Sequence, residues 1–153
     1  MVGMLFSGTH GISPPVLIVP GVTINSEVYQ GMLRDHYFPW LLSKHAAKDL
    51  IFQEDGAPSH VSKSTNAFFA KNHPDIERMR WPSNSPDLNP LDFSLWSALQ
   101  SKMPPISKDR PACLVALHAA WDQLKAESNT DKINKEFERR VFACLSADGG
   151  HFE

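Results

Sequence analysis

The sequence predicts an α/β fold that ends in a purely helical part. Short apolar runs of strand length alternate with segments of helical period over the first two thirds of the chain. After about residue 103 only the helical period remains. The length of 153 residues, with 42% apolar and 21% charged residues, fits one globular domain and excludes general disorder. Lys and Arg number 15 against 17 Asp and Glu, a net charge of −2, so the chain has no overall basic coat. Any contact with nucleic acid has to come from a local patch.

Residues 2–7 and 15–19 read as strands joined by the turn Gly8-Thr9-His10-Gly11, together a hairpin. Residues 26–43 carry Tyr29, Met32, Leu33, Tyr37, Trp40 and Leu41 at helical spacing, with Pro39 predicting a kink or a restart. A strand follows at 49–53, with Leu50-Ile51-Phe52 as a short buried run. A helix over 59–71 carries Val61, Phe68 and Phe69 and stops before Pro74. A strand over 76–81 ends at Pro82, residues 83–90 form a proline-rich loop, and a helix opens at Pro90. Two helices follow, over 111–125 and 130–147. Their stripes are Leu114, Leu117, Trp121, Leu124 and Ile133, Phe137, Val141, Cys144, and Gly149-Gly150 is the stop. Pro104-Pro105, within 103–107, marks a hinge between residues 1–103 and 104–153 of the same domain.

The longest apolar run, 16–22, is interrupted by Pro20 and Gly21 and falls far below the ~20 residues a membrane span needs. The opening MVGMLF lacks the basic region of a signal peptide and reads as the middle of a strand, which points to a missing upstream part. Cys113 and Cys144 form neither a disulfide framework nor a paired zinc spacing, so a reducing, intracellular compartment is expected.

Two stretches concentrate chemistry-bearing residues. FQEDGAPSH, residues 52–60, sets Asp55 at the C-terminal end of a strand, where α/β sheets place ligand and catalytic groups. WPSNSPDLNPLD, residues 81–92, offers Asn89 as an N-cap, Pro90 at the first helical position and Asp92 in the first turn. A carboxylate from a strand end and another from a helix start can share a hard cation such as Mg²⁺. Paired ions of that kind drive in-line displacement at phosphodiesters. Simpler roles fit the same residues. Asp55 can form a turn with Gly56, Asp92 can complement the helix dipole at ~0.3–1 kcal/mol, and His60 can be a capping or surface histidine. No phosphate loop, dinucleotide fingerprint or Gly-x-Ser-x-Gly occurs, and the seven histidines show no metal-ligand pairing.

The exact wording of the two stretches, FQEDGAPSH followed by WPSNSPDLNPLDFSLW, resembles the catalytic domain of mariner-type transposases of the DDE/D superfamily. GVTINSEVYQGMLRDHYFPWL and the final ADGGHFE are similar to further parts of that family. The resemblance covers nearly the whole chain. It implies a ribonuclease-H-like fold, a mixed sheet flanked by helices, N-terminally truncated here and with a helical C-terminal part. It matches Asp55 to the second and Asp92 to the third acid of a catalytic, metal-binding triad, with 36 residues between them. His60 and Asn89 are the supporting candidates. It further implies Mg²⁺ or Mn²⁺, two ions in the intact site. The implied partners are DNA (transposon ends and target) and an intact transposase as homodimer partner, with no membrane, in the nucleus.

The family's first acid lies on a strand ahead of the point where this chain begins, and residues 1–26 contain no Asp or Glu. The family's N-terminal helix-turn-helix region is unmatched as well. The expectation is a fragment of a transposase catalytic domain, which cuts and transfers DNA strands in the intact protein and is inactive alone. The competing reading is a catalytically dead module that binds nucleic acid or a transposase. Lys63, Lys71, Arg78, Arg80, Arg139 and Arg140 are its basic candidates. The last 53 residues hold eight Lys or Arg against eight Asp or Glu, so these residues read as a solvated face.

Overall fold

The expected hairpin forms, but two prolines break each of its strands. The computed structural model describes residues 1–82, 84–105 and 109–148. In it, β1 (Val2–Gly3) pairs antiparallel with β4 (Val16–Leu17), and β2 (Phe6–Ser7) with β3 (Gly11–Ile12). Between the two pairs Met4 and Leu5 face Ser13, Pro14 and Pro15, and neither proline has an N–H to donate. Ser13 closes the gap. Its amide donates to the Leu5 carbonyl at 2.9 Å, and its Oγ accepts from the Leu5 amide at 2.8 Å. The turn relies on Gly11, whose φ of +74° lies in the left-handed region.

Among the described residues strand pairing is limited to this hairpin and one parallel pair, β5 (Ile51–Glu54) with β6 (Glu77–Arg80). The chain divides into two units: Met1 with residues 18–84, and residues 2–17 with 85 onward.

The first unit is built on Phe38. This side chain is 2% exposed and packs on Phe52, Phe69, Phe68 and His73, with ring centroids 3.9–6.4 Å apart. Aromatic pairs of this kind add about 0.5–1.5 kcal/mol each beyond their buried area. Phe38 starts α2 (Phe38–Leu42), which continues α1 (Ser26–Met32) through a π turn at Leu33–Tyr37. Here the restart expected at Pro39 takes shape. Proline removes one amide from the ladder, and the turn before it widens so that the Phe38 amide reaches the Leu33 carbonyl. The helix expected over 59–71 is two helices, α3 (Pro58–Val61) and α4 (Lys63–Asn72). Ser62 is extended and caps α4, its Oγ accepting from the Thr65 amide at 3.1 Å. Fully buried Thr65 ties the two helices together by donating to the Ser59 carbonyl at 2.7 Å. Leu50-Ile51-Phe52 is not a buried run: Ile51 is 58% exposed and Phe52 6%, because the two-stranded pair is covered on one face only.

In the second unit α5 (Trp96–Lys102), α6 (Arg110–Glu127) and α7 (Thr130–Ser146) surround a core of Met4, Ile12, Leu95, Leu99, Leu117, Ala120, Leu124 and Ile133. The hairpin is fastened to these helices by Trp121 Nε1, donating to the Ser13 carbonyl at 2.8 Å, and by Asn134 Nδ2, donating to the Gly8 carbonyl at 2.7 Å. Arg140 of α7 reaches a short 3₁₀ turn at Pro86–Leu88, where it donates to the Asp87 carbonyl at 3.2 Å, and its guanidinium lies 4.5 Å over the Phe93 ring. Glu136 holds both Arg139 and Arg140, at 2.7–2.9 Å. Arg139 and Arg140 are thus braced on Glu136, and Arg140 is only 23% exposed. The expected Gly149-Gly150 stop, the ADGGHFE tail beyond Asp148, Ser83, and residues 106–107 at the end of the expected hinge lie outside the described residues.

Two outcomes test this packing. Ser13 is 1% exposed, and Ser13→Ala leaves the part-buried Leu5 amide without its side-chain partner. The variant is expected to lose about 1–3 kcal/mol in urea denaturation. The hydrogen bond from Arg139, with support from Arg140, holds the Glu136 carboxyl down at about 2 against an ordinary 4.5. A depressed acid stabilises above its unfolded pKa and loses that contribution as pH falls through the folded one. Parent stability should therefore fall between about pH 4.5 and pH 2 more steeply than that of Glu136→Gln, measured by chemical denaturation at each pH.

Candidate functional site

Alternation along β5 decides which of two adjacent carboxylates is exposed. Phe52 and Glu54 share the covered face, and Gln53 and Asp55 the other. Glu54 therefore follows Phe52 inward and its side chain is 8% exposed, whereas that of Asp55 is 61% exposed. The buried carboxylate is fully engaged: Tyr29 Oη donates to Oε2 at 3.0 Å, and Arg78 Nη2 pairs with Oε1. Burial, then the Glu54 charge, push the Tyr29 hydroxyl far above the usual phenol range, so it remains a donor. Arg78 comes from β6 in register with Phe52. It also donates to the His60 carbonyl at 3.1 Å and to Asn66 Oδ1, and its guanidinium lies 4.1 Å over the Phe69 ring.

Asp55 Oδ1 accepts from the Ala57 amide at 3.0 Å, the side-chain turn its sequence context predicts. The same oxygen stands 2.7 Å from Nδ1 of His60. That buried nitrogen makes no aligned hydrogen bond among the described residues, so the two atoms are close neighbours without one. The His60 ring packs on Tyr29 at 4.1 Å between centroids. Both local contacts of Asp55 use Oδ1. A hollow of about 480 Å³ opens beside it, lined by Glu54, Asp55, Val61, Asn66, Met79 and Trp81 among others.

Asp92 lies in the second unit, on the exposed side of a π turn at Leu91–Leu95 that leads into α5. The helix start is as expected. Asn89 is extended and its Oδ1 accepts from the Leu91 amide at 3.1 Å, Pro90 is the first helical residue, and the Asp92 amide donates to the Asn89 carbonyl at 2.9 Å. Arg140, through Asp87 and Phe93, braces the chain on both sides of Asp92.

Each acid is exposed and offers carboxylate oxygens, the donor type a hard divalent cation takes. Among the described residues no group of three or more His, Cys, Asp or Glu could hold a metal ion. Sequence reasoning missed the Tyr29–Glu54–Arg78 network. The signal was available: Glu54 lies two residues from buried Phe52, and Arg78 two from buried Ile76, each on the covered face of its strand.

Residues 21–111 match the family model described as DDE superfamily endonuclease. Two transposases of Caenorhabditis elegans are similar to the chain. The transposable element Tc1 transposase is 30% identical over 79% of this chain and 43% of its own length. The Tc3 transposase is 40% identical over 82% of this chain and 38% of its own length. The chain spans less than half the length of these relatives. Among solved structures, the catalytic domain of Mos1 mariner transposase aligns with 99% of this chain and 75% of that one, at 21% identity and a TM-score of 0.75. The Mos1 mariner paired end complex with Mn aligns with 99% of this chain and 44% of that one, at 21% identity and a TM-score of 0.77. These likenesses establish the expected α/β, ribonuclease-H-like fold. The family model spans both acid-bearing stretches and more than half of the sequence, and on that ground the chain belongs to the DDE superfamily endonuclease family, with the Tc1/mariner transposases as its homologues.

Proposed function

We propose that Asp55 and Asp92 are ligands of a divalent-metal centre in a transposase catalytic domain, which cuts and joins DNA in the intact protein and is inactive in this chain alone. The observation that carries this reading is the fate of the two neighbouring carboxylates. Glu54 is buried and neutralised by Arg78, while Asp55 is kept exposed at the C-terminal end of the parallel pair, inside the segment that matches the family. The metal is Mg²⁺ or Mn²⁺, with two ions in the complete site. A bound divalent ion supplies Lewis-acid chemistry at the scissile phosphodiester. Asp55 and Asp92 hold it, His60 stands behind the Asp55 oxygen, and Asn89 fixes the helix start that carries Asp92. The DNA partners are transposon ends and target, the protein partner is a second transposase chain, and the compartment is the nucleus. Support comes from the transposase homologues and from a Mos1 relative solved as a paired end complex with Mn.

Thermal melts of the parent, Asp55→Asn and Asp92→Asn, with and without Mg²⁺ or Mn²⁺ at fixed ionic strength, test the reading. Metal at about tenfold its Kd stabilises the native state by about 1.4 kcal/mol. That corresponds to a rise of about 3–6 °C for a chain of this size. The rise is expected in the parent and absent in both variants. Without metal the two neutralisations should be neutral or stabilising, because they relieve repulsion between the acids. If Asp92 serves only the helix dipole, Asp92→Asn instead loses ~0.3–1 kcal/mol and keeps the metal response, which sinks the assignment.

A further inference from the structure

We infer that Arg78 is a positioning residue for Asp55, a clamp that closes the two ends of the turn on which the carboxylate sits; this rests on the reading of Asp55 as a metal ligand. The turn occupies residues 55–57, between the end of β5 and the start of α3. Its upstream neighbour is Glu54, whose carboxylate Arg78 Nη2 holds. Downstream, the same nitrogen donates to the His60 carbonyl at 3.1 Å, and Nη1 donates to Asn66 of α4. One planar guanidinium thus links the end of β5 to α3 and to α4, across the turn. Its own place is fixed by β6 and by the face of Phe69. Lysine offers a point charge without the fork and reaches only one of these acceptors at a time. Among the described residues the Asp55 carboxylate takes one backbone hydrogen bond, from the Ala57 amide, so the turn leans on its ends being held. Arg78, a basic residue the sequence would assign to a solvated or DNA-facing surface, is in this reading committed to the interior.

The Ala57 amide reports directly on the turn, because it donates to Asp55 Oδ1. Its hydrogen exchange is measured by NMR in the whole chain without metal, beside the His73 amide, which closes α4 by donating to the Phe69 carbonyl at 2.8 Å. In Arg78→Lys the Ala57 amide is expected to exchange about tenfold faster while His73 stays within about twofold of the parent. Unchanged Ala57 exchange overturns the clamp. If Arg78→Lys also loses the α4 protection, Glu54→Gln replaces it, since that change keeps the side-chain length and an acceptor for Tyr29. The same selective loss is then expected, and unchanged exchange again overturns the proposal. A separate Mn²⁺ titration, followed by the paramagnetic signal of the free ion, compares parent, Asp55→Asn and Arg78→Lys. Binding about tenfold weaker in Arg78→Lys supports the clamp, and equal binding in Arg78→Lys and the parent overturns it. A parent that binds Mn²⁺ no better than Asp55→Asn refutes the metal reading, while the exchange experiment still decides the clamp.

Discussion

A carboxylate taken out of water must be paired, and in this protein that requirement organises the first unit. Glu54 is drawn inward by the alternation of β5, so Arg78 has to come with it from β6, and Tyr29 from α1. Removing one partner of such a pair leaves an uncompensated charge and costs about 3–5 kcal/mol. The pair joins the two parallel strands beside the apolar contacts of Phe52, at the point where the chain turns away. Asp55 is the first residue past that point. Its exposure is the other side of Glu54's burial.

The second acid is held by a different device. Asp92 sits at a helix start written in the local sequence, with Asn89 as cap and Pro90 as first residue. The π turn that follows is continued by a helix whose Leu95 and Leu99 enter the core with Met4 and Ile12 of the hairpin. Arg140 then braces the loop from α7. In both units a side chain from a distant part of the sequence secures the backbone beside an acid, while the acid remains exposed.

Much of this was legible in the residues. Helical spacing gave α6 and α7, and the cap and proline gave the start of the Asp92 helix. The motif wording matched the family to Asp55 and Asp92. What was not legible depended on partners far away in sequence. Leu50-Ile51-Phe52 looks like a buried run, but its burial depends on how many faces of the strand pair are covered. Ser62 interrupts a helical pattern because it finds a capping role with Thr65, which the apolar period does not report. Pro14 and Pro15 split the hairpin, and Ser13, through both its amide and its side chain, bridges the gap. Arg78 and Arg140 count as surface charge in any composition argument, yet each is used inside the structure, because Glu54 and the Phe93 ring are in reach.

The central proposal is that Asp55 and Asp92 are both metal ligands. A crystal structure of the chain grown with Mn²⁺, using the anomalous signal of the ion, tests it most directly. The account predicts an anomalous peak in direct contact with a carboxylate oxygen of Asp55 and with one of Asp92, as a hard cation takes oxygen ligands. Mn²⁺ bound to only one of these carboxylates, or to neither, would contradict it.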